Sequence, residues 1–301
     1  IITVSANAAN QEGSSAYIEE NMQIYMQDML YGLMLNSGND AAVAIAEHIS
    51  GNVDNFANLM NEKAVSLGLK DTHFVNPNGL DDPQHFTTAV DLAQIARYAM
   101  QNDTFRKIVS TKTMQIKPLN SNEILYFSNH NKMLNLYQGA TGIKTGYTSA
   151  TGRCLVSSAM RYGMEFIAVT LNDSDDWNDH TQMLDYAFSE HYPKKVIEKN
   201  SVIKKASIDG TEYEMIAADD FVIPFKEHGK TNIEIISHIA SNLQAPINAG
   251  EKVGYLEILC NGLSIGQIDI LSKNDINNIS GIRIKNSFYN SFIHIIKTVL
   301  V

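Results

Sequence analysis

The sequence predicts an α+β domain followed by a small all-β domain and a closing amphipathic helix. Helical periodicity fills most of the first hundred residues. A tight hairpin of two strand-like runs appears after residue 150, and past Pro193 the pattern turns strand-rich. The expected boundaries are 1–193, 194–285 and 286–301.

Residues 22–36 read as a helix because Met22, Tyr25, Met26, Met29, Leu30, Leu33 and Met34 recur at helical spacing. Ser37-Gly38-Asn39-Asp40 breaks that helix and supplies cap chemistry for the next, 40–50. This second helix is small and apolar on most faces (Ala41, Ala42, Val43, Ala44, Ile45, Ala46), which predicts burial mid-domain. A third, about 53–69, would turn Phe56, Leu59, Met60 and Leu67 inward. Ser37 therefore falls on a short break between packed helices, where its hydroxyl can be held rigidly. Residues 72–84 form a turn-rich loop containing Asn76-Pro77-Asn78-Gly79. Thr87 or Thr88 caps a helix to about Met100, and 111–117 and 123–127 read as short strands.

A strand holding Lys144 follows. Then come two strands, 154–160 and 164–171, joined by Arg161-Tyr162-Gly163, and a helix from 176 to 192 that stops at Pro193. Cys154 is expected to be buried on the strand beside that of Lys144. In the second domain, 196–203, 221–225, 253–259 and 265–271 read as strands, with Asn261-Gly262 as a two-residue hairpin turn. In 286–301, Phe288, Tyr289, Phe292, Ile293, Ile295, Ile296, Val299 and Leu300 oppose Ser287, Asn290, Ser291, His294, Lys297 and Thr298. That pattern predicts a helix lying on a membrane surface, too short and too polar to cross it.

The chain has 301 residues, 44% hydrophobic and 19% charged, enough for two domains and a sizeable core. Its net charge of −10 argues against a nucleic-acid partner. No apolar run of 18 residues suggests a spanning helix. Cys154 and Cys260 read as two free thiols in separate domains rather than a bridge. The start, Ile1-Ile2-Thr3-Val4, suits a mature secreted protein or a chain cut from a longer precursor, and composition does not choose between them. His73, His85, His130 and His180 sit in unrelated contexts, so no metal or other cofactor is expected.

The chemistry centres on Gly142-Ile143-Lys144-Thr145-Gly146-Tyr147. Lys144 and Thr145 offer a positive charge and a donor for an anion beside a reacting carbonyl. Gly146, lacking Cβ, lets a substrate backbone approach. Taken alone, Lys-Thr-Gly reads as a surface turn, Lys144 as a solvated strand-edge charge, and Ser37 with Asn39 as a helix cap. Their combination reverses those readings. Ser-x-Asn upstream, Lys-Thr-Gly on a late strand, then a β domain and an amphipathic tail resemble the low-molecular-mass penicillin-binding proteins, and more narrowly the serine D-alanyl-D-alanine carboxypeptidases. Leu35-Asn36-Ser37-Gly38-Asn39-Asp40-Ala41, Leu67-Gly68-Leu69-Lys70-Asp71-Thr72-His73-Phe74, Asn78-Gly79-Leu80 and Gly142 through Thr148 are close to that family's wording, and the resemblance spans roughly 3–285.

The resemblance implies a penicillin-binding-protein/β-lactamase-like transpeptidase domain that removes the terminal D-Ala from peptidoglycan stem peptides through an acyl-enzyme. It implies that Ser37 relays a proton to the leaving amine, Asn39 orients the substrate carbonyl, and Lys144 and Thr145 bind the terminal carboxylate. Gly146 admits the substrate backbone, and the Tyr147 backbone N–H serves as an oxyanion donor. Partners would be a stem peptide ending in D-Ala-D-Ala, β-lactams as covalent inhibitors of the full-length form, and the outer face of the bacterial cytoplasmic membrane. One departure stands out. The family's nucleophile motif, Ser-x-x-Lys, precedes Ser-x-Asn, yet none of the 36 residues before Ser37 spells it. The sole literal match, Ser201-Val202-Ile203-Lys204, lies in the β-rich stretch and reads as accidental. The expectation is a family chain without its nucleophile segment, silent toward penicillin as given. A second reading, of another class, is a non-catalytic relative that binds peptidoglycan or a protein partner. A β-lactamase is disfavoured by the β domain and the tail.

Overall fold

The computed structural model describes residues 1–208, 211–226, 231–240, 243, 245–277 and 298–300. The chain divides into two compact units, Ile1–Arg161 with Glu165–Ala187, and Tyr162–Met164 with Phe188–Val301. Up to α8 the elements are β1 (Ile2–Thr3), α1 (Ala6–Ala9), β2 (Gln23–Ile24), α2 (Met26–Asn36), α3 (Asn39–Ser50), α4 (Val53–Ser66), α5 (Ala89–Ala99), α6 (Asp103–Ser110), β3 (Thr113–Ile116), β4 (Leu125–Ser128), α7 (Met133–Leu136), β5 (Ala140–Thr148), β6 (Gly152–Arg161), β7 (Met164–Thr170) and α8 (Asp176–Glu190).

Helix α3 is the centre of the first unit. Asn39 through Ala46 are all buried, as the all-round apolar pattern requires. Val43, Ala44 and Ile45 pack with Ile2, Ile24, Met29, Leu35 and Phe127 in one core. Side chains of Asn52, Thr88 and Asn102 accept from the backbone N–H of Asn55, Asp91 and Phe105, so α4, α5 and α6 each begin on a capping residue. Strands β5, β6 and β7 form a sheet in that order, which leaves β5 at an edge.

Four sequence expectations shift here. Helix α2 starts at Met26, because Gln23–Ile24 pairs antiparallel with β1 and buries Ile24 opposite Ile2. Helix α4 ends at Ser66, and its buried positions are Ala57 and Ala64, with Leu59 43% exposed. Small residues on its inner face let it lie close against α3. Helix α8 stops at Glu190, and Pro193 sits inside the following strand, where a two-stranded pair leaves an edge that tolerates it. Cys154 lies on β6 beside the Lys144 strand but is half-buried, and its register partner on β5 is the Cβ-free Gly146.

The second unit contains β8 (Tyr192–Ile197), β9 (Val202–Ile208), β10 (Thr211–Ala217), β11 (Phe221–Phe225), β12 (Thr231–Ile239), β13 (Lys252–Cys260), β14 (Leu263–Ser272) and β15 (Thr298–Leu300). Its main sheet runs β15-β12-β13-β14-β10-β9, and β11 pairs with β8. Ile223, Ile233, Leu256, Ile258 and Ile270 fill its core. Asn261 and Gly262 turn the chain from β13 to β14 with φ of +51° and +80°, as that dipeptide predicts. The expected strand over 196–203 is two strands, β8 and β9, separated by a turn in which Asn200 adopts φ +64°. The helix expected over 286–301 falls on residues outside those described, except at Thr298–Leu300. There a short strand pairs with β12 in place of helix, which joins backbone groups along an otherwise open edge. Among the described residues no helix is long and apolar enough to cross a membrane.

Candidate active site

Ser37 is the C-cap of α2 in the left-handed conformation (φ 57°, ψ 37°), which ends the helix and lifts its side chain away from the helix barrel. Gly38 follows as the N-cap of α3. A Cβ there would meet Asp40 Oδ1 at 2.6 Å and Ala16 Cβ at 2.8 Å, so only glycine lets the two helices join this closely. Across 107 positions of sequence, Lys144 on β5 donates a hydrogen bond from Nζ to Ser37 Oγ. Its ammonium also donates to the Thr145 carbonyl at 2.9 Å. Burial pushes the Lys144 pKa down to about 8. The group thus stays mainly charged near neutral pH, yet releases a proton far more readily than a solvated lysine.

Asn39 is buried, and its Nδ2 donates to the Glu12 carbonyl at 2.6 Å. Beside it, Asp40 is only 1% exposed. Its carboxylate accepts from Ser15 Oγ (2.6 Å), from the backbone N–H of Ala16 (2.8 Å), Ile18 (3.3 Å) and Ala41 (2.8 Å). Four donors compensate the buried charge and fix the 12–18 segment against the start of α3. Sequence reasoning gives Asp40 a place in the helix cap but no role at the site, although an acidic residue opening an otherwise apolar helix is a signal for one.

Thr145 is half-buried, while Gly146 and Tyr147 are exposed along the edge strand. His130 comes close by another route. Its backbone N–H donates to the Leu35 carbonyl at 3.3 Å, and Asn36 Oδ1 accepts from the Ser128 N–H at 3.0 Å. Burial first, then the Lys144 charge, lower the His130 pKa. Ser37 and Lys144 therefore touch directly, with Thr145 next on the same strand. Asn39, two residues after Ser37, is turned toward the Glu12 carbonyl. Ser201 precedes β9 in the second unit. Among the described residues no group of three His, Cys, Asp or Glu side chains could hold a metal ion.

Comparison with known proteins bears on the family and the fold. A family model described as D-alanyl-D-alanine carboxypeptidase matches residues 1–175, and one described as penicillin-binding protein 5, C-terminal domain, matches 192–278. The chain is 30% identical over 281 residues to D-alanyl-D-alanine carboxypeptidase DacF of Bacillus subtilis, covering 91% of this chain and 72% of the relative. It is 31% identical over 277 residues to D-alanyl-D-alanine carboxypeptidase DacA of Haemophilus influenzae, covering 88% and 68%. Among solved structures, D-alanyl-D-alanine carboxypeptidase DacD from Francisella tularensis superposes with a TM-score of 0.61 at 26% identity, over 92% of this chain and 81% of that one. Penicillin binding protein 5 from Haemophilus influenzae gives 0.61 at 29% identity, over 92% and 83%. The expected α+β domain with a following β domain agrees with these likenesses.

Proposed function

The chain belongs to the D-alanyl-D-alanine carboxypeptidase family, and on that premise we propose that it serves a serine D-alanyl-D-alanine carboxypeptidase reaction on peptidoglycan stem peptides. The observation that carries the reading is the Lys144–Ser37 hydrogen bond, which joins the two halves of a divided signature at one point. A peptide ending in D-Ala-D-Ala lies along the free edge of β5 as an added strand. Lys144 and Thr145 bind its carboxylate with charge-assisted bonds, Gly146 admits its backbone, and the Tyr147 N–H faces the developing oxyanion. A serine attacks the penultimate carbonyl, and the amide C–N bond breaks. Ser37, loaded by the Lys144 ammonium, passes a proton to the departing D-Ala amine, and water then releases the acyl group. Asn39 has a second amide N–H to offer the substrate while the first holds Glu12.

This reading needs a serine with its own lysine beside Ser37, and the 301 residues spell Ser-x-x-Lys only at Ser201–Lys204, in the second unit. Fluorescent penicillin is the test. Protein expressed from its complete coding sequence is expected to label covalently and to release one D-Ala from a pentapeptide ending in D-Ala-D-Ala. Lys144→Ala should cut labelling by roughly a hundredfold or more. The 301 residues alone are expected to stay silent. Their labelling at Ser37 or Ser201 would sink the assignment of Ser37 as a relay. A complete protein that binds peptidoglycan but neither labels nor hydrolyses would establish the non-catalytic reading instead.

We further propose that the apolar side chains between 286 and 297 hold the protein on the outer face of the cytoplasmic membrane. Each buried methylene contributes about 0.8 kcal/mol, so a few aromatic and aliphatic side chains suffice for reversible attachment. In vesicle flotation the intact chain should float and one ending at Lys285 should not. Equal recovery of both in the soluble fraction removes this role.

A further inference from the structure

The loop between α4 and α5 is built as a bridge to the end of β5. Its base is fixed twice. His73 and Phe86 pair as an antiparallel bridge, and Asn61 of α4 bonds both backbone groups of Phe74, at 2.8 Å each. Its tip is folded on itself, with Asn76 Oδ1 accepting from the Gly79 N–H (2.7 Å) and Asn76 Nδ2 donating to the Leu80 carbonyl (2.9 Å). The preformed tip then reaches two other segments. Asn78 Nδ2 donates to Gln11 Oε1 at 3.3 Å, next to the Glu12 carbonyl that engages Asn39. Asp81 Oδ1 accepts from Thr148 Oγ1 at 2.7 Å. The Thr148 hydroxyl is in turn held by Thr151, whose backbone N–H donates to it at 3.0 Å.

We propose that Asp81 is a positioning residue for the peptide substrate. Its bond from Thr148 locks the 78–81 tip beside the exposed end of β5, one residue beyond Tyr147. There Leu80, 41% exposed, gives the body of the stem peptide an apolar wall to lie against. The proposal rests on the carboxypeptidase reading. It adds that recognition of the peptide upstream of the scissile bond depends on this latch, whereas a penicillin, which mimics only the D-Ala-D-Ala terminus, does not need it. The bond is exposed and single, so its loss loosens the tip without unfolding the domain.

The experiment uses protein from the complete coding sequence, with a pentapeptide ending in D-Ala-D-Ala and fluorescent penicillin as probes. Asp81→Ala and Thr148→Val should each raise KM for the pentapeptide about fivefold, with kcat and the penicillin labelling rate within twofold of wild type. Both remove the Asp81–Thr148 bond, and Thr148→Val also frees Thr151, so the double variant should be no worse than Thr148→Val alone. Thr148→Ser, which keeps the hydroxyl, should restore KM. Unchanged KM in both single variants overturns the proposal. So does a fall in kcat together with penicillin labelling, because the bond would then support β5 rather than the substrate. A wild-type protein inert to both probes overturns the carboxypeptidase reading and the proposal with it. A wild type active on both, with the variants indistinguishable from it, overturns the latch alone.

Discussion

His180 shows how a single buried residue ties stability to pH. It is wholly inaccessible, with Nδ1 at 2.6 Å from Ser157 Oγ and Nε2 at 3.1 Å from Thr170 Oγ1. Burial pushes its pKa down to about 4, against the weaker upward pull of Asp176 and Asp173. The folded state thus holds the neutral ring, while an unfolded histidine takes up a proton near pH 6.5. This contribution is fully present above about pH 6.5 and is lost as pH falls toward 4, because the unfolded state then binds the extra proton. Between pH 7 and 5 the loss should be on the order of 2 kcal/mol. Urea midpoints measured across that range should fall in wild type. They should fall much less in His180→Asn, which starts less stable but does not titrate. Parallel slopes for the two proteins would show that His180 is not the group responsible. The same desolvation lowers the Lys144 pKa to about 8, yet leaves the group mainly charged near neutral pH, and its hydrogen bond to Ser37 keeps a donor aimed at the site. Lys144 and Ser37 were legible in the sequence because each stands in a distinctive short motif. Asp40 and Asp81 were not. The first had only the hint of an acid opening an apolar helix, its partners being four donors that fold back on it, and the other is read through a threonine 67 positions away.

At the level of elements, legibility follows whether a signal is local. The break between α2 and α3 was readable because Ser-Gly-Asn cannot continue a helix, and Ser37 in the left-handed region with Gly38 wedged against Ala16 is the form that break takes. The β6–β7 hairpin was readable from two strand-like runs around Tyr162-Gly163, both at positive φ. Strand β2 was not readable. Two residues have no period, and only the partner Ile2, 22 positions away, makes Ile24 part of a sheet rather than of α2. Strand β10 was overlooked although its alternation is plain once the sheet is known. Tyr213, Met215 and Ala217 pack toward the core, while Glu214 turns out to meet Lys273 at 2.6 Å. Charged residues on the solvent face diluted a signal that a period of two would have kept.

At the scale of the whole molecule, the two units draw their cores from separate stretches of chain. One core joins Ile2 through Phe127 and a second joins Ala96, Met100, Val109, Ile143 and Val156, whereas that of the second unit runs from Ile197 to Ile276. A core closed within one unit implies a cooperative transition of its own. The fragment 188–301 should therefore fold alone, with a β-type circular dichroism spectrum and a single urea transition of slope about 1 kcal/mol/M. In the intact chain, Ile258→Ala is the sharper probe, because Ile258 is completely buried on β13, between β12 and β14. Removing those methylenes should cost the second unit about 2–5 kcal/mol. If the units unfold independently, the second transition moves to lower urea and the midpoint of the first stays in place, while penicillin labelling of the complete protein is unchanged. If both midpoints move together, the chain is one cooperative body and the division of its cores carries no thermodynamic boundary.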